Sequence, residues 1–208
     1  MRLYTVVAAN LAFFIATQRS TALLSGDWSG VLTDWPSLAP VALGLILVGV
    51  LNAQASAHTK AQLVHMRRRD PLPGSEAFTR WGLNDPRVDM AALEAAYGPL
   101  PTAPADQNRL WYRIFKQMES DGGVQHAHKE SLFTRDYTFL AALMIIVLGA
   151  AAIIMFTGFT KTLLYIAILI GQFVLAGRAA RHHGRRLVCT TLAVAGAKAN
   201  GKTQAVSA

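Results

Sequence analysis

The sequence has a single cysteine, Cys189. One cysteine excludes an intramolecular disulfide and any metal site built on paired cysteines. We expect Cys189 to be an inert small residue, and a reactive or lipidated cysteine is the alternative. Three catalytic patterns, GxGxxG, GxSxG and HExxH, are missing as well. Their absence argues against a dinucleotide-binding turn, a nucleophile elbow and a zinc protease site. The sequence therefore predicts no catalytic residue, no cofactor and no metal ligand.

Charged residues are also scarce and unevenly placed. They make up 15% of the chain, against about 25% in an average soluble protein. Residues 54–136 contain ten of the twelve acidic residues and eleven of the twenty Lys and Arg residues. The rest of the chain consists mainly of apolar blocks. This alternation of apolar and polar blocks is typical of a multi-span membrane protein.

Two apolar blocks near the end of the chain give the strongest membrane signal. Residues 137–157 carry no charge over 21 positions, which at 1.5 Å per residue spans a hydrocarbon core of about 30 Å. Residues 162–177 follow after a very short link. Two helices joined so closely must be antiparallel neighbours, so the sequence predicts a transmembrane hairpin.

Two further blocks precede the polar segment. Residues 36–53 predict a second transmembrane helix, and residues 1–24 predict a first one. The first is the weakest because Arg19 interrupts it, and a cleaved signal peptide or a helix lying on the membrane surface are alternatives. The predicted fold is all-α, a four-helix transmembrane protein with a small helical cytoplasmic domain, residues 54–136, between helices 2 and 3. Residues 178–208 form a basic cytoplasmic tail.

The distribution of Lys and Arg predicts the orientation. Residues 20–38 contain two acidic residues and no Lys or Arg, whereas basic clusters follow the second and fourth apolar blocks. Because cytoplasmic segments carry the excess of Lys and Arg, both termini and the central domain are predicted to be cytoplasmic. Membrane lipid is the expected partner and nucleic acid is not, since no nucleic-acid motif accompanies the charge. The candidate contacts to lipid headgroups are Arg67, Arg68, Arg69, Arg178, Arg181, Arg185 and Arg186.

The central segment contains the helix-start and helix-end signals that are typical of a folded domain. Residues 54–69 predict a helical continuation of the second membrane helix. Asp89 and Gly98 predict the two ends of a helix over residues 90–97. Residues 107–120, with Asp106 or Thr102 as the cap, carry apolar side chains at helical spacing. A domain this small buries little surface alone, so we expect it to rest on the membrane-proximal helices, on a second copy or on a protein partner. The candidate packing or interaction residues are Phe78, Trp81, Gln107, Asn108, Trp111, Tyr112 and Phe115.

Four of the six histidines suggest a weaker alternative. His58 and His65 lie seven residues apart and therefore share a helix face. Together with His126 or His128 they form a candidate metal or proton-sensing site near the membrane surface. Solvated histidines beside lipid headgroups are the simpler interpretation.

The arrangement PLPGSEAF…DPRVD…LEAAYGPLP…QNRLWYRIFK…SLFTRD ahead of an apolar hairpin resembles a type of uncharacterised bacterial multi-span inner-membrane protein. The resemblance covers about residues 70–136 and the flanking spans. It implies a bacterial inner membrane and no catalytic activity.

Three functions fit these observations. The first is an inner-membrane protein whose cytoplasmic domain mediates protein interaction and couples it to the membrane helices. The second is a small oligomeric channel or pore-forming effector. The third is a membrane-bound enzyme that acts on lipid.

Overall fold

The computed structural model describes residues 2–20, 24 and 38–206, with side chains described up to residue 201. Within these residues the chain is helical and contains no β-strand, which confirms the all-α class. Most of the predicted external loop, residues 20–38, lies outside the described residues, as do residues 21–23 of the predicted first span.

Seven α-helices occur among the described residues. A short 3₁₀ turn at Pro73–Glu76 runs directly into a π turn at Ala77–Trp81. The α-helices are α1 (Arg2–Gln18), α2 (Ala39–Gln54), α3 (Ala57–His65), α4 (Met90–Tyr97), α5 (Pro104–Met118), α6 (Gly122–Met155) and α7 (Phe159–Val206).

Two of these helices are long and apolar enough to cross a membrane. They are α6 and the Phe159–Gly201 part of α7. The pair α2 and α3 makes a third candidate if this broken pair is one span. The predicted continuous helix over residues 54–69 is wrong, because Ala55 takes an extended backbone with ψ of 130° and α3 ends at His65.

The described residues form two compact units. The first unit comprises the described part of Met1–Ser56 together with Asp136–Ala176. Its core is an apolar cluster drawn from α1, α2, α6 and α7, in which Phe14 lies 5.0 Å from Phe156 and 5.8 Å from Tyr165 between ring centroids. Its outward side chains are also apolar. Ile146 is 67% exposed and Ile154 is 82% exposed.

The second unit comprises Ala57–Arg135 together with Gly177–Ala208. Its core centres on α5, whose predicted apolar face (Leu110, Trp111, Ile114, Phe115 and Met118) is buried throughout. The end of α7 completes this core with Leu187, Val188, Leu192 and Ala195. Of the predicted basic tail, residues 178–208, the described part up to residue 206 continues α7 and supplies a wall of this core.

The helix ends in the second unit follow from local chemistry. Asp89 caps α4 by accepting a hydrogen bond from the Ala92 amide at 2.9 Å, and Gly98 ends the helix with φ of 83°. The predicted cap of α5 by Asp106 or Thr102 is wrong. Pro104 occupies the first turn instead, where its missing N–H is not needed.

Candidate functional site

The seven predicted packing or interaction residues divide clearly by exposure. Phe78, Gln107, Trp111 and Phe115 are buried, whereas Trp81 and Asn108 are partly buried. Tyr112 is 51% exposed and is the member of the set that remains available for a partner. Most of these residues therefore pack within the second unit.

Gln107 is a polar residue in the core of this unit. It lies on the buried face of α5 and is 1% exposed. Its Oε1 accepts hydrogen bonds from the Phe78 amide at 3.0 Å and the Thr79 amide at 3.2 Å. Its Nε2 donates to the Thr102 carbonyl oxygen at 2.7 Å. One side chain thus joins the π turn, α5 and the segment before α5, and it satisfies buried backbone groups that would otherwise cost stability.

The PLPG turn packs directly against α5. A Cβ placed on Gly74 would lie 2.6 Å from Cε3 of Trp111 and 2.6 Å from Oδ1 of Asn108. Only glycine fits such a close approach of backbone to side chains. The unusual local sequence is therefore explained by packing within this unit.

The candidate lipid contacts also divide. Arg67 forms an ion pair with Glu76 at 2.6 Å, and Arg181 donates from Nη1 to the Val64 carbonyl oxygen at 2.7 Å. Arg68, Arg69 and Arg178 are exposed. The side chains of these three arginines face solvent.

The other two candidate lipid contacts, Arg185 and Arg186, line a pocket in the second unit. We call it the basic pocket, a cavity of about 440 Å³ lined by Asp85, Arg87, His182, Arg185, Arg186 and Cys189. Three of these residues are arginines and one is a carboxylate. Sequence reasoning missed this pocket because residues 85–87 and 182–189 are about a hundred positions apart.

Three contacts order the walls of the basic pocket. Arg87 donates to both carboxylate oxygens of Asp85, at 3.0 Å from Nε and 2.8 Å from Nη2, which holds the pKa of Asp85 far below its usual value. The Arg185 guanidinium carbon lies 5.2 Å from the Trp81 ring centroid, within range of a cation–π contact. The Cys189 thiol donates to the Trp81 carbonyl oxygen at 3.6 Å.

The histidines predicted to converge are not brought together as a metal site. Among the described residues, no group of three or more His, Cys, Asp or Glu side chains is arranged to hold a metal ion. His128 instead packs on the Phe115 ring with centroids 5.0 Å apart, and His58 is exposed.

Sequence reasoning missed one further pattern. Residues 196–203 read GAKANGKT and match GxxxxGK[ST], the pattern of a phosphate-binding loop. Such a loop needs free backbone N–H groups between a strand and a helix. Here the segment lies inside α7, where the amides bond to preceding carbonyls. Gly196 lies beside the Asp89 backbone, where an added Cβ would make an ordinary van der Waals contact of 3.4 Å with the Asp89 carbonyl oxygen.

Comparison with protein-family models, with curated proteins and with solved structures gives no match for this chain.

Proposed function

We propose that this chain is a four-span protein of a bacterial inner membrane, with both termini and the second unit in the cytoplasm. The second unit binds a second copy of the chain or a protein partner and couples that event to the membrane helices. The observation that carries this proposal is the length of α6 and α7. At 34 and 48 residues, they extend about 51 Å and 72 Å, well beyond a hydrocarbon core of about 30 Å. Each helix contributes residues to both compact units.

The outward surface of the first unit supports membrane embedding. Large apolar side chains point outward from α2, α6 and α7, and each of those named below is more than half exposed. Scattered apolar residues are normal on soluble proteins, but a contiguous apolar surface marks an interaction site or a lipid-facing surface. The residues are Leu43, Ile46, Leu47, Ile146, Ile153, Ile154, Leu163, Leu164 and Leu175.

Tyr112 supports the interaction role. It lies on α5 beside Phe115, with ring centroids 6.1 Å apart, and the Lys116 ammonium lies 5.9 Å from its ring centroid. An exposed tyrosine with a basic neighbour offers both apolar area and a hydrogen-bonding hydroxyl, which is why tyrosine is enriched at contact hot spots.

Photo-crosslinking in intact cells tests this role. A benzophenone amino acid at position 112 is compared with the same amino acid at Glu94, an exposed position on α4. The proposal predicts a discrete product from position 112, either at twice the chain mass or at the chain mass plus that of one partner. Equal, diffuse labelling from both positions would contradict it.

A pore is the second candidate, favoured by unpaired polar atoms within the first unit. Among the described residues, the Tyr165 hydroxyl and Asn52 Oδ1 are buried without a hydrogen-bond partner. Water that enters the helix bundle of the first unit would satisfy both. Dye release from liposomes that contain the purified chain tests this function, and Tyr165→Phe is expected to reduce the release. Liposomes that stay sealed would remove the pore from consideration.

A further inference from the structure

We propose that the basic pocket binds a phosphomonoester, either a soluble phosphate compound or the headgroup of a phosphatidic acid type of lipid. This proposal does not depend on the protein partner proposed above. It rests on the charge balance, the placement and the size of the pocket.

The α7 wall of the pocket is one helix face. His182, Arg185, Arg186 and Cys189 stand at positions i, i+3, i+4 and i+7, and residues with this spacing lie on the same side of an α-helix. The side chains therefore point into a common space. Consecutive arginines at Arg185 and Arg186 bring two guanidinium groups to the mouth of that space.

The single carboxylate of the pocket does not neutralise this face. Asp85 accepts two hydrogen bonds from Arg87, and the two residues form a bidentate pair two positions apart in one turn. Among the described residues, no carboxylate forms an ion pair with Arg185 or Arg186. The pocket therefore carries an excess of two positive charges.

An anion with two negative charges and several oxygens fits this excess best. Guanidinium groups present forked donors that match phosphate oxygens, and a phosphomonoester brings close to two negative charges at neutral pH. A lone carboxylate brings only one. The Trp81 ring packs beside the Arg185 guanidinium and orders it before the ligand binds. This lowers the conformational entropy that Arg185 loses on binding.

The size of the pocket sets the ligand class. A volume of about 440 Å³ lies in the range of small-molecule sites, about 300–1,000 Å³. It accommodates a phosphate group with a small organic moiety attached. Both a soluble phosphorylated compound and a lipid headgroup meet this condition, and the experiment separates them.

The test uses the full chain in nanodiscs of phosphatidylcholine. Calorimetric titrations use inorganic phosphate as the soluble probe and a short-chain phosphatidic acid as the lipid probe. The variants are R185A/R186A and the control Arg113→Ala, which removes one exposed arginine on α5 outside the pocket. Circular dichroism verifies folding. If the double alanine variant loses helix content, R185K/R186K replaces it, because lysine keeps the charge and removes the forked donors.

We expect at least one probe to bind the wild type and Arg113→Ala with equal affinity. Affinity for that probe should fall at least about tenfold in R185A/R186A, since each lost charge-assisted hydrogen bond is worth about that factor. Tighter binding of inorganic phosphate identifies a soluble ligand, and tighter binding of phosphatidic acid identifies a lipid headgroup. The proposal is overturned if neither probe binds the wild type, or if the double variant binds as tightly as the control.

Discussion

Gly74 sits directly under the Trp111 indole, so closely that a Cβ on Gly74 would lie 2.6 Å from Cε3 of the ring. This contact joins the PLPG turn to α5 and sets the packing of the second unit. Because the indole is buried on α5, it has little room to move away.

Gly74→Ala is therefore expected to destabilise the second unit by about 1–3 kcal/mol, the usual cost of overpacking a filled core. The thermal unfolding midpoint of the full chain in detergent measures it. Gly122→Ala is the matched control, because a Cβ at Gly122 meets nothing within 4 Å. An equal midpoint for both variants would show that Trp111 does not hold the turn.

Replacing Gln107 tests the polar residue in the core of the same unit. Gln107→Ala leaves the Phe78 and Thr79 amides without their acceptor. Each buried group left unsatisfied costs about 1–3 kcal/mol. Gln125, exposed on α6, serves as the control, and Gln125→Ala should leave the midpoint unchanged. Similar small effects from the two changes would argue that water reaches the Gln107 site.

His65 makes the second unit sensitive to mild acid. Burial is the main cause that lowers its pKa, and the nearby guanidiniums of Arg67 and Arg181 lower it further, while Glu76 opposes them. The folded state therefore favours neutral imidazole, whereas the unfolded state binds the proton more readily. Stability is complete above the unfolded pKa, about 6.5, and declines as the pH falls from there towards the lower folded value.

His65→Gln should flatten this decline. The measurement is the unfolding midpoint of the full chain between about pH 7.5 and 5.5, a window around the unfolded histidine pKa. The control is His58→Gln, which changes an exposed histidine on the same helix. A decline of the same steepness in both variants would assign the acid sensitivity to other groups.

A charge on the outward face of α6 distinguishes lipid from water. Ile146 is 67% exposed near the middle of the apolar stretch, so Ile146→Lys would place an ammonium group in the hydrocarbon core. Its cost to membrane insertion is about 2.5–3.5 kcal/mol, and the inserted fraction should fall sharply after alkaline extraction of membranes. Tyr112→Lys introduces the same charge on an exposed site of the second unit and should not change insertion. Unimpaired insertion of both variants would mean that Ile146 faces water.

Local patterns in the sequence predicted part of this fold. The apolar spacing on α5 and the Asp89 and Gly98 signals around α4 depend on neighbours within a few residues, and the structure agrees with both. The start of α5 was missed because Pro104, rather than a capping side chain, opens the helix.

The remaining features depend on contacts between distant parts of the chain. Leu187, Val188, Leu192 and Ala195 do repeat at helical spacing, yet the arginines before them gave the segment the composition of a basic tail. Gln107 was a candidate for packing or interaction, but its role as an acceptor was not predicted, because Phe78 and Thr79 lie 29 and 28 residues away in the sequence. The basic pocket likewise forms only when α7 meets the turn that carries Asp85 and Arg87. No local pattern encodes such pairings.

The most direct test of the central claim, that α6 and α7 cross the membrane and the second unit lies in the cytoplasm, is cysteine labelling from each side. A Cys189→Ser background removes the native thiol, and single cysteines replace Arg113 on α5 or the exposed Thr160 at the start of α7. A membrane-impermeant maleimide should label position 113 only in inside-out vesicles and position 160 only in intact spheroplasts. Labelling of both positions from the same side would contradict the account.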